Sequence, residues 1–413
     1  MAQLSDDCFA FGGPLLSVDA AQALIAERVP AVGGVERVAL AAARGRVLAA
    51  DLHAGLPLPA FFNSAVDGYA FRHADCPDGG VLPVRGRIQA GQAAAPLPPG
   101  TATRIFTGAP MPPGADTVIM QEDAAEQAGA VRIAGGLKPG ANCRPAGEDV
   151  AAGALALPAG RRLGPAEIGL AAAIGQAELG VRPLLRVGVF STGDELASPG
   201  QPLGPAQTYD SNRFTLLAML GRLPVAASDL GILPDDPGAT RRALAAAAAS
   251  HDLLLTSGGV STGEADHVKA AIEAEGRLVF WRLAIKPGRP AAMGMVGGVP
   301  VVGLPGNPVA AVVTFLHLAR PLLLARAGAA PEPLPTFPAE AAFSARKKAG
   351  RREYLRVTLA PGLSLPLARK YPREGAGLLS SLVDSDAFCE LAEAITAVAP
   401  GDPLRVIPFA AVL

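Results

Sequence analysis

The chain has 413 residues, half of them hydrophobic, with 48 glycines and 39 prolines; at ~100–200 residues per domain this excludes a single core and implies roughly two to four folded units. Its 36 Lys and Arg offset 37 Asp and Glu, which excludes a net field for holding nucleic acid or an anionic membrane nonspecifically. The cysteines Cys8, Cys76, Cys143 and Cys389 are scattered without a C-x-x-C pair, which argues against a disulfide framework or a structural zinc.

The first residues, Met1 to Asp7, carry acids where a secretory signal needs positive charge. The apolar segment from Val309 to Leu324 is interrupted by His317, Arg320 and Pro321. A cytoplasmic chain is expected, without membrane or nucleic-acid partners. Ser17 to Val29 has helical apolar spacing, and Val35 to Ala50 reads as a second helix. From Asp51 the texture changes to short apolar runs separated by Pro and Gly, at Leu56 to Ala60, Gly80 to Val84 and Gly114 to Met120. That pattern predicts a β-rich domain ending near Asp149. Pro158 to Gly175 looks helical again, so the β-rich part reads as an insertion (residues 51–149) into an elongated helical linker domain (residues 1–50 and 150–183).

From Leu184 apolar strands alternate with helices, the signature of a doubly wound α/β domain over residues 184–328. Strands are expected at Leu185 to Phe190, Val225 to Leu233, Asp252 to Thr256, Leu278 to Leu283 and Val299 to Gly303. Helices are expected at Arg213 to Arg222, Pro237 to Ser250, Ala265 to Glu275 and Pro308 to Ala327. Asp236 before Pro237 supplies an N-cap and a first-turn proline. Past the Pro-rich joint at Pro331 to Pro338, residues 332–413 read as a C-terminal β domain.

Ligands of open α/β sheets sit beyond the carboxyl ends of the strands, where helix N-termini and free backbone donors converge. Every unusual loop of this domain falls on that edge: Ser191 to Glu195, Pro234 to Asp236, Ser257 to Asp266, Lys286 to Arg289 and Leu304 to Pro308. The glycines let backbone N–H groups approach a phosphate, Lys286 and Arg289 neutralise it, and Glu195, Asp235 and Asp266 are the candidates for a hard cation such as Mg²⁺. Each loop also has an ordinary reading as a cap, a turn or a solvated basic pair; the convergence of five on one edge favours a site. Gly259 to Gly263 further matches the G-x-S-x-G nucleophile elbow. The only later histidines are His267, in the adjacent turn, and His317, inside an apolar helix, so the triad reading is weak and His317 is read as core. In the β-rich part, Asn63 to Ala70, Arg104 to Pro110 and Gly147 to Asp149 would be turns if taken alone.

In order, these segments resemble the MoeA-type molybdenum insertases, the family of molybdopterin molybdenumtransferases related to the E domain of gephyrin. The resemblance covers nearly the whole chain, and Tyr209 to Asn212 and Ala284 to Pro290 belong to it as well. It implies a molybdopterin-binding role for the α/β domain and the insertion of molybdenum from molybdate into adenylylated molybdopterin, with Mg²⁺ as cofactor and AMP released. It also implies a homodimer with a shared active site, and the preceding adenylyltransferase and apo-molybdoenzymes as further partners. Carried over residue by residue, the catalytic set is Asp67, Thr107, Asp149, Glu195, Asp235, Asp266 and Lys286. The substrate-binding set is Asp210, Asn212, Ser257, Gly258, Gly259, Ser261, Gly263, Arg282, Arg289, Pro305 and Asn307. Ala310 and Ala376 stand where some relatives have serine, and Arg282 where some have lysine. The alternatives are a molybdopterin adenylyltransferase-like enzyme and a non-catalytic molybdopterin-binding scaffold.

Overall fold

The computed structural model describes residues 15–258, 267–288 and 290–413. The α/β unit is built on a six-stranded sheet in the order Val225–Leu233, Leu185–Thr192, Leu253–Ser257, Val299–Leu304, Pro290–Val296, Gly276–Arg282. The first four strands are parallel. Burial on both faces explains their continuous apolar runs. Val187, Val189, Leu253, Leu255 and Val302 pack on one face with Ala21, Ile25, Leu216 and Leu323. Phe190, Leu254 and Val301 pack on the other with Leu244, Val268 and Ile272. Each such buried Leu, Ile or Val stabilises the fold by ~1.5–3 kcal/mol.

The Pro290–Val296 strand was not expected. It joins Val299–Leu304 through the Gly297-Gly298 turn and runs antiparallel to both neighbours, so the sheet is mixed. The two reversals turn Gly276–Arg282 back into the parallel sense, and its carboxyl end lies on the same edge as the others. The long apolar helix Pro308–Arg326 is mostly buried inside the protein. It contains a π segment at Phe315–Ala319, two residues before Pro321, whose missing N–H disturbs the helical ladder.

Residues 51–149 are β-rich as expected. Their six-stranded sheet runs Thr117–Met120, Gly68–Phe71, Ala102–Ile105, Gly80–Ile88, Ala130–Ile133, Ala125–Gln127, with apolar clusters around Phe71 and Ile119 and around Ile105 and Val118. The elongated helical element is different from the expectation. Val35 to Ala50 is not a helix: Glu36–Ala39 pairs antiparallel with Glu178–Val181, and a 3-10 turn follows at Leu40–Ala42. The flanking Gly34 and Gly45 adopt positive φ, which interrupts a helix at both ends, and the strand partner takes up the backbone groups. Of Pro158 to Gly175 only Pro165–Ala173 is helical, beginning where the Glu167 carboxylate accepts the Gly164 N–H at 3.0 Å. The N-terminal helix Val18–Arg28 packs into the α/β core.

In the C-terminal part, Arg352–Ala360, Leu367–Lys370, Phe337–Ala341, Pro403–Pro408 and Ala387–Leu391 pair in sequence, and the last closes on the first. The result is a small five-stranded barrel without free edges. The two-residue strand Ile285–Lys286 leaves the α/β unit and pairs parallel with Arg352 and Glu353. Tyr354, Phe388, Ile407, Phe409 and Val412 of the barrel belong to the same apolar cluster as the α/β sheet. Arg352 adds a polar strut, meeting the Asp19 carboxylate at 2.8 and 3.0 Å and Glu393 at 3.2 Å.

Candidate active site

At the carboxyl edge, Gly193 has φ +135°, and a Cβ there would come within 2.2 Å of Glu195 Oε2. Glycine is therefore required for Glu195 to fold back over the turn. The next loop is clipped to this one: the Asp235 carboxylate accepts the Asp194 N–H at 3.2 Å, and the Asp194 carboxylate accepts the Asp235 N–H at 3.1 Å. Asp236 caps its helix through the Ala239 N–H, as expected. Asp266, the third candidate cation ligand, lies outside the described residues, as do Gly259, Ser261, Gly263 and Arg289. Among the described residues no three His, Cys, Asp or Glu side chains form a preformed metal cluster. Glu195 and Asp235 still supply hard carboxylate oxygens, and Mg²⁺ is characteristically held by one or two carboxylates together with substrate phosphates. The donor set fits that ion.

Asn212 ties three loops together. Its amide donates to Ser257 Oγ at 2.8 Å and to the Gly306 carbonyl at 2.7 Å. Gly258 has φ +89° and donates its N–H to the Leu304 carbonyl at 3.1 Å, which ties the end of the Leu253–Ser257 strand to the neighbouring strand end. Pro305 is buried, whereas Gly306 and Asn307 are exposed at the start of the Pro308 helix. Asp210 is buried and bound to Arg213 at 2.8 Å, and Arg213 also bonds Asp229. Its carboxylate thus anchors the helix that carries Asn212. Arg282 ends its strand opposite Pro290.

A cavity of about 450 Å³ opens between the Lys286 loop and the barrel. Lys286, Arg346, Lys347, Arg356, Lys370 and Arg373 line it, against Glu353 and Glu374. Lys286 Nζ reaches buried Glu353 at 3.1 Å. Arg356 is 8% exposed, donates to the Arg373 and Gly375 carbonyls and leaves its Nε without a partner. Burial pushes its guanidinium down from its usual pKa, a cost that an entering anion offsets. The pocket and the edge loops are joined by the Val309 N–H, which donates to the Ala376 carbonyl at 2.9 Å. Sequence reading missed Arg356 and Arg373, because only the long-range pairing of Ile285–Lys286 with Arg352 and Glu353 brings them to Lys286. A larger cavity, about 860 Å³, lies at the opposite edge beside Leu184 and Pro224. Its Arg161 and Arg162 are engaged by Glu167 and Glu332, so it reads as a structural junction.

Of the remaining acids, Asp67 adjoins the six-stranded β-rich sheet and Asp149 lies in a turn beside Leu58. Asp67 immediately precedes the Gly68–Phe71 strand, and Thr107 follows Ala102–Ile105, the strand paired with it. Asp67 Oδ1 accepts both the Thr107 N–H at 2.8 Å and its hydroxyl at 2.7 Å. These bonds, with Arg104 nearby, hold the Asp67 carboxyl below its usual range. Asp149 is exposed, and its N–H donates to the Leu58 carbonyl at 2.9 Å. Thiolate chemistry has no support among the described cysteines: burial pushes the thiol pKa of Cys143 up to about 11 and that of Cys389 up to about 12. His317 is a core residue, buried and stacked on Tyr354 at 4.3 Å, with its pKa pushed down to about 3 by burial.

Three family models match in succession: "MoeA N-terminal region (domain I and II)" over residues 16–175, "Probable molybdopterin binding domain" over 188–325, and "MoeA C-terminal region (domain IV)" over 338–409. A molybdopterin molybdenumtransferase of Haemophilus influenzae is 38% identical over 96% of this chain and 99% of its own length. Molybdopterin molybdenumtransferase 2 of Mycobacterium tuberculosis is 39% identical over 94% of this chain and 98% of its own. The solved structure of a molybdopterin biosynthesis MoeA protein from Pyrococcus horikoshii superposes with a TM-score of 0.79 at 27% identity, covering 95% of this chain and 99% of that one.

Proposed function

This chain belongs to the MoeA family of molybdopterin molybdenumtransferases and is an enzyme of molybdenum insertion in cofactor biosynthesis; from that premise we propose that its substrate is adenylylated molybdopterin and that AMP leaves as molybdate is taken up. The observation that carries this reading is the junction of two chemistries. The carboxyl edge offers phosphate-type loops and carboxylates, while the adjoining cavity gathers six cations against two acids. An anhydride and an oxyanion have to meet in this reaction, and here their two sites share the Lys286 segment.

In the proposed arrangement Ser257, Gly258, Gly259, Ser261 and Gly263 cradle phosphate, and Asn212, Pro305 and Asn307 shape the loops around it. Asp210 acts through the helix start that it anchors. Glu195, Asp235 and Asp266 would hold Mg²⁺, which would supply charge neutralisation to the anhydride oxygens. Lys286, Arg289 and Arg282, joined by Arg356 and Arg373, hold molybdate. A water oxygen enters at the anhydride phosphorus as the bridging P–O bond breaks and AMP leaves; the two dithiolene thiols then give their protons to one molybdate oxygen, which leaves as water as two Mo–S bonds form. Asp67, Thr107 and Asp149 complete the site from the other subunit of a homodimer, a reading supported by the position of Asp67 and Thr107 beside a sheet separate from the α/β sheet. The domain division into 1–50 with 150–183, 51–149, 184–328 and 332–413 belongs to the same proposal. A cytoplasmic setting fits the free thiols of Cys76, Cys143 and Cys389.

The test supplies Mg²⁺, molybdate and adenylylated molybdopterin and measures AMP release together with activation of an apo-molybdoenzyme. Molybdate-dependent activation coupled to AMP release is expected. AMP release without molybdate-dependent activation would overturn the reading, and consumption of ATP with molybdopterin would indicate an adenylyltransferase.

A further inference from the structure

We infer that Arg104 is a positioning residue for this reaction, bracing the strand ends that carry the Asp67–Thr107 pair. From the Ala102–Ile105 strand its Nη1 donates to the Gly68 carbonyl at 3.2 Å, next in sequence to Asp67. Its Nη2 donates to the side-chain oxygen of Gln121, and the Gln121 backbone N–H in turn holds the Asp67 carbonyl at 3.0 Å. The guanidinium carbon lies 4.9 Å from the ring centre of Tyr69 and 4.9 Å from that of Phe106, the residue before Thr107. A second guanidinium, from Arg87, also lies over Phe106 at 4.6 Å. One planar cation thus meets Gly68, Tyr69 and Gln121 around Asp67 and the Phe106 ring beside Thr107, a task that suits the rigid donor fork and flat face of arginine and not of lysine.

None of these contacts is needed to form the sheet. The ladder that pairs Gly68 with Ile105 and Tyr69 with Arg104 uses backbone groups. What the side chain controls is the placement of one carboxylate relative to its partner hydroxyl, and small misplacements of such groups are expensive in rate. The inference rests on the proposal that Asp67 acts in molybdenum insertion.

The experiment compares full-length Asp67→Asn, Arg104→Met, Arg104→Lys and the Asp67→Asn/Arg104→Met double variant in molybdate-dependent activation, with thermal unfolding measured in parallel. Arg104→Met is expected to lower kcat by about 10–100-fold, with the KM for molybdate unchanged within about twofold, because the oxyanion pocket lies on other elements. Arg104→Lys should not restore the rate. The double variant should be no slower than Asp67→Asn alone, since Arg104 acts through that carboxylate. Full activity of Arg104→Met, rescue by lysine, or losses that multiply in the double variant would overturn the inference. Parental activity in Asp67→Asn would instead overturn the assignment of Asp67. If Arg104→Met does not fold, Gln121→Met tests the same grip from its other end, with the same pattern expected.

Discussion

Thr107 gives Asp67 two hydrogen bonds from a single residue, one of which depends on the hydroxyl. Thr107→Ala therefore removes one of the causes that hold this carboxyl below its usual value of 3.8. The Asp67 titration, followed by NMR, is expected to move upward toward that value; an unchanged titration would show that the hydroxyl contributes nothing. The sign for stability follows. A depressed carboxylate favours the fold above 3.8, and that contribution is lost as pH falls through the lower folded value. His317 gives a second prediction of the opposite chemical kind. Its ordinary pKa is 6.5 and the folded value is pushed down to about 3, first by burial and then by the Arg352 charge. Between those pH values the unfolded chain binds a proton that the folded chain refuses, so stability falls as pH drops below 6.5. His317→Phe keeps a ring over Tyr354 and cannot titrate. It should flatten the loss of urea resistance between pH 7 and pH 5, and an equally steep loss would place its origin elsewhere.

Gly68 opens the strand that follows Asp67, and a Cβ at this position would lie 1.9 Å from the Ile119 carbonyl oxygen. Gly68→Ala must push the edge strand Thr117–Met120 away from its neighbour, at a cost of ~1–3 kcal/mol by analogy with overpacked cores. Faster amide exchange is expected in Thr117–Met120 while the α/β sheet stays protected; uniform exchange across the chain would contradict this local origin. Such crowding between strands is invisible in sequence, and the same limit explains what sequence reading recovered. The four parallel strands were legible because burial on both faces leaves continuous apolar runs. Pro290–Val296 was not, since a proline at its start and Gly294 inside it weaken the strand signal. Val35 to Ala50 misled because alanine-rich spacing suits a helix, whereas pairing with Glu178–Val181 decides the outcome. The edge loops of the site announce themselves through glycines and acids at strand ends. Arg356 carries no such local mark, since it reaches the site only through pairing across some seventy residues of chain.

At the scale of the molecule, the proposed active site draws on elements that one chain keeps on separate sheets. Asp67→Asn and Glu195→Gln are each expected to cut molybdenum insertion to a small, measurable remainder, yet a co-expressed mixture should recover about a quarter of the parental activity if random pairing makes half the dimers mixed and each mixed dimer holds one intact site. No recovery in verified mixed dimers would place both residues in a site of one subunit. The barrel contributes at this scale as well. Tyr354, Phe388 and Phe409 pack in one apolar cluster with the α/β sheet, and Phe388 meets Phe409 edge to face at 4.7 Å. The two walls of the proposed oxyanion pocket are therefore spaced by a shared hydrophobic core as well as by the pairing of Ile285–Lys286 with Arg352 and Glu353. Its aperture, and with it the size of oxyanion admitted, is written largely in uncharged side chains packed behind the wall, of which only Tyr354 also lines the cavity.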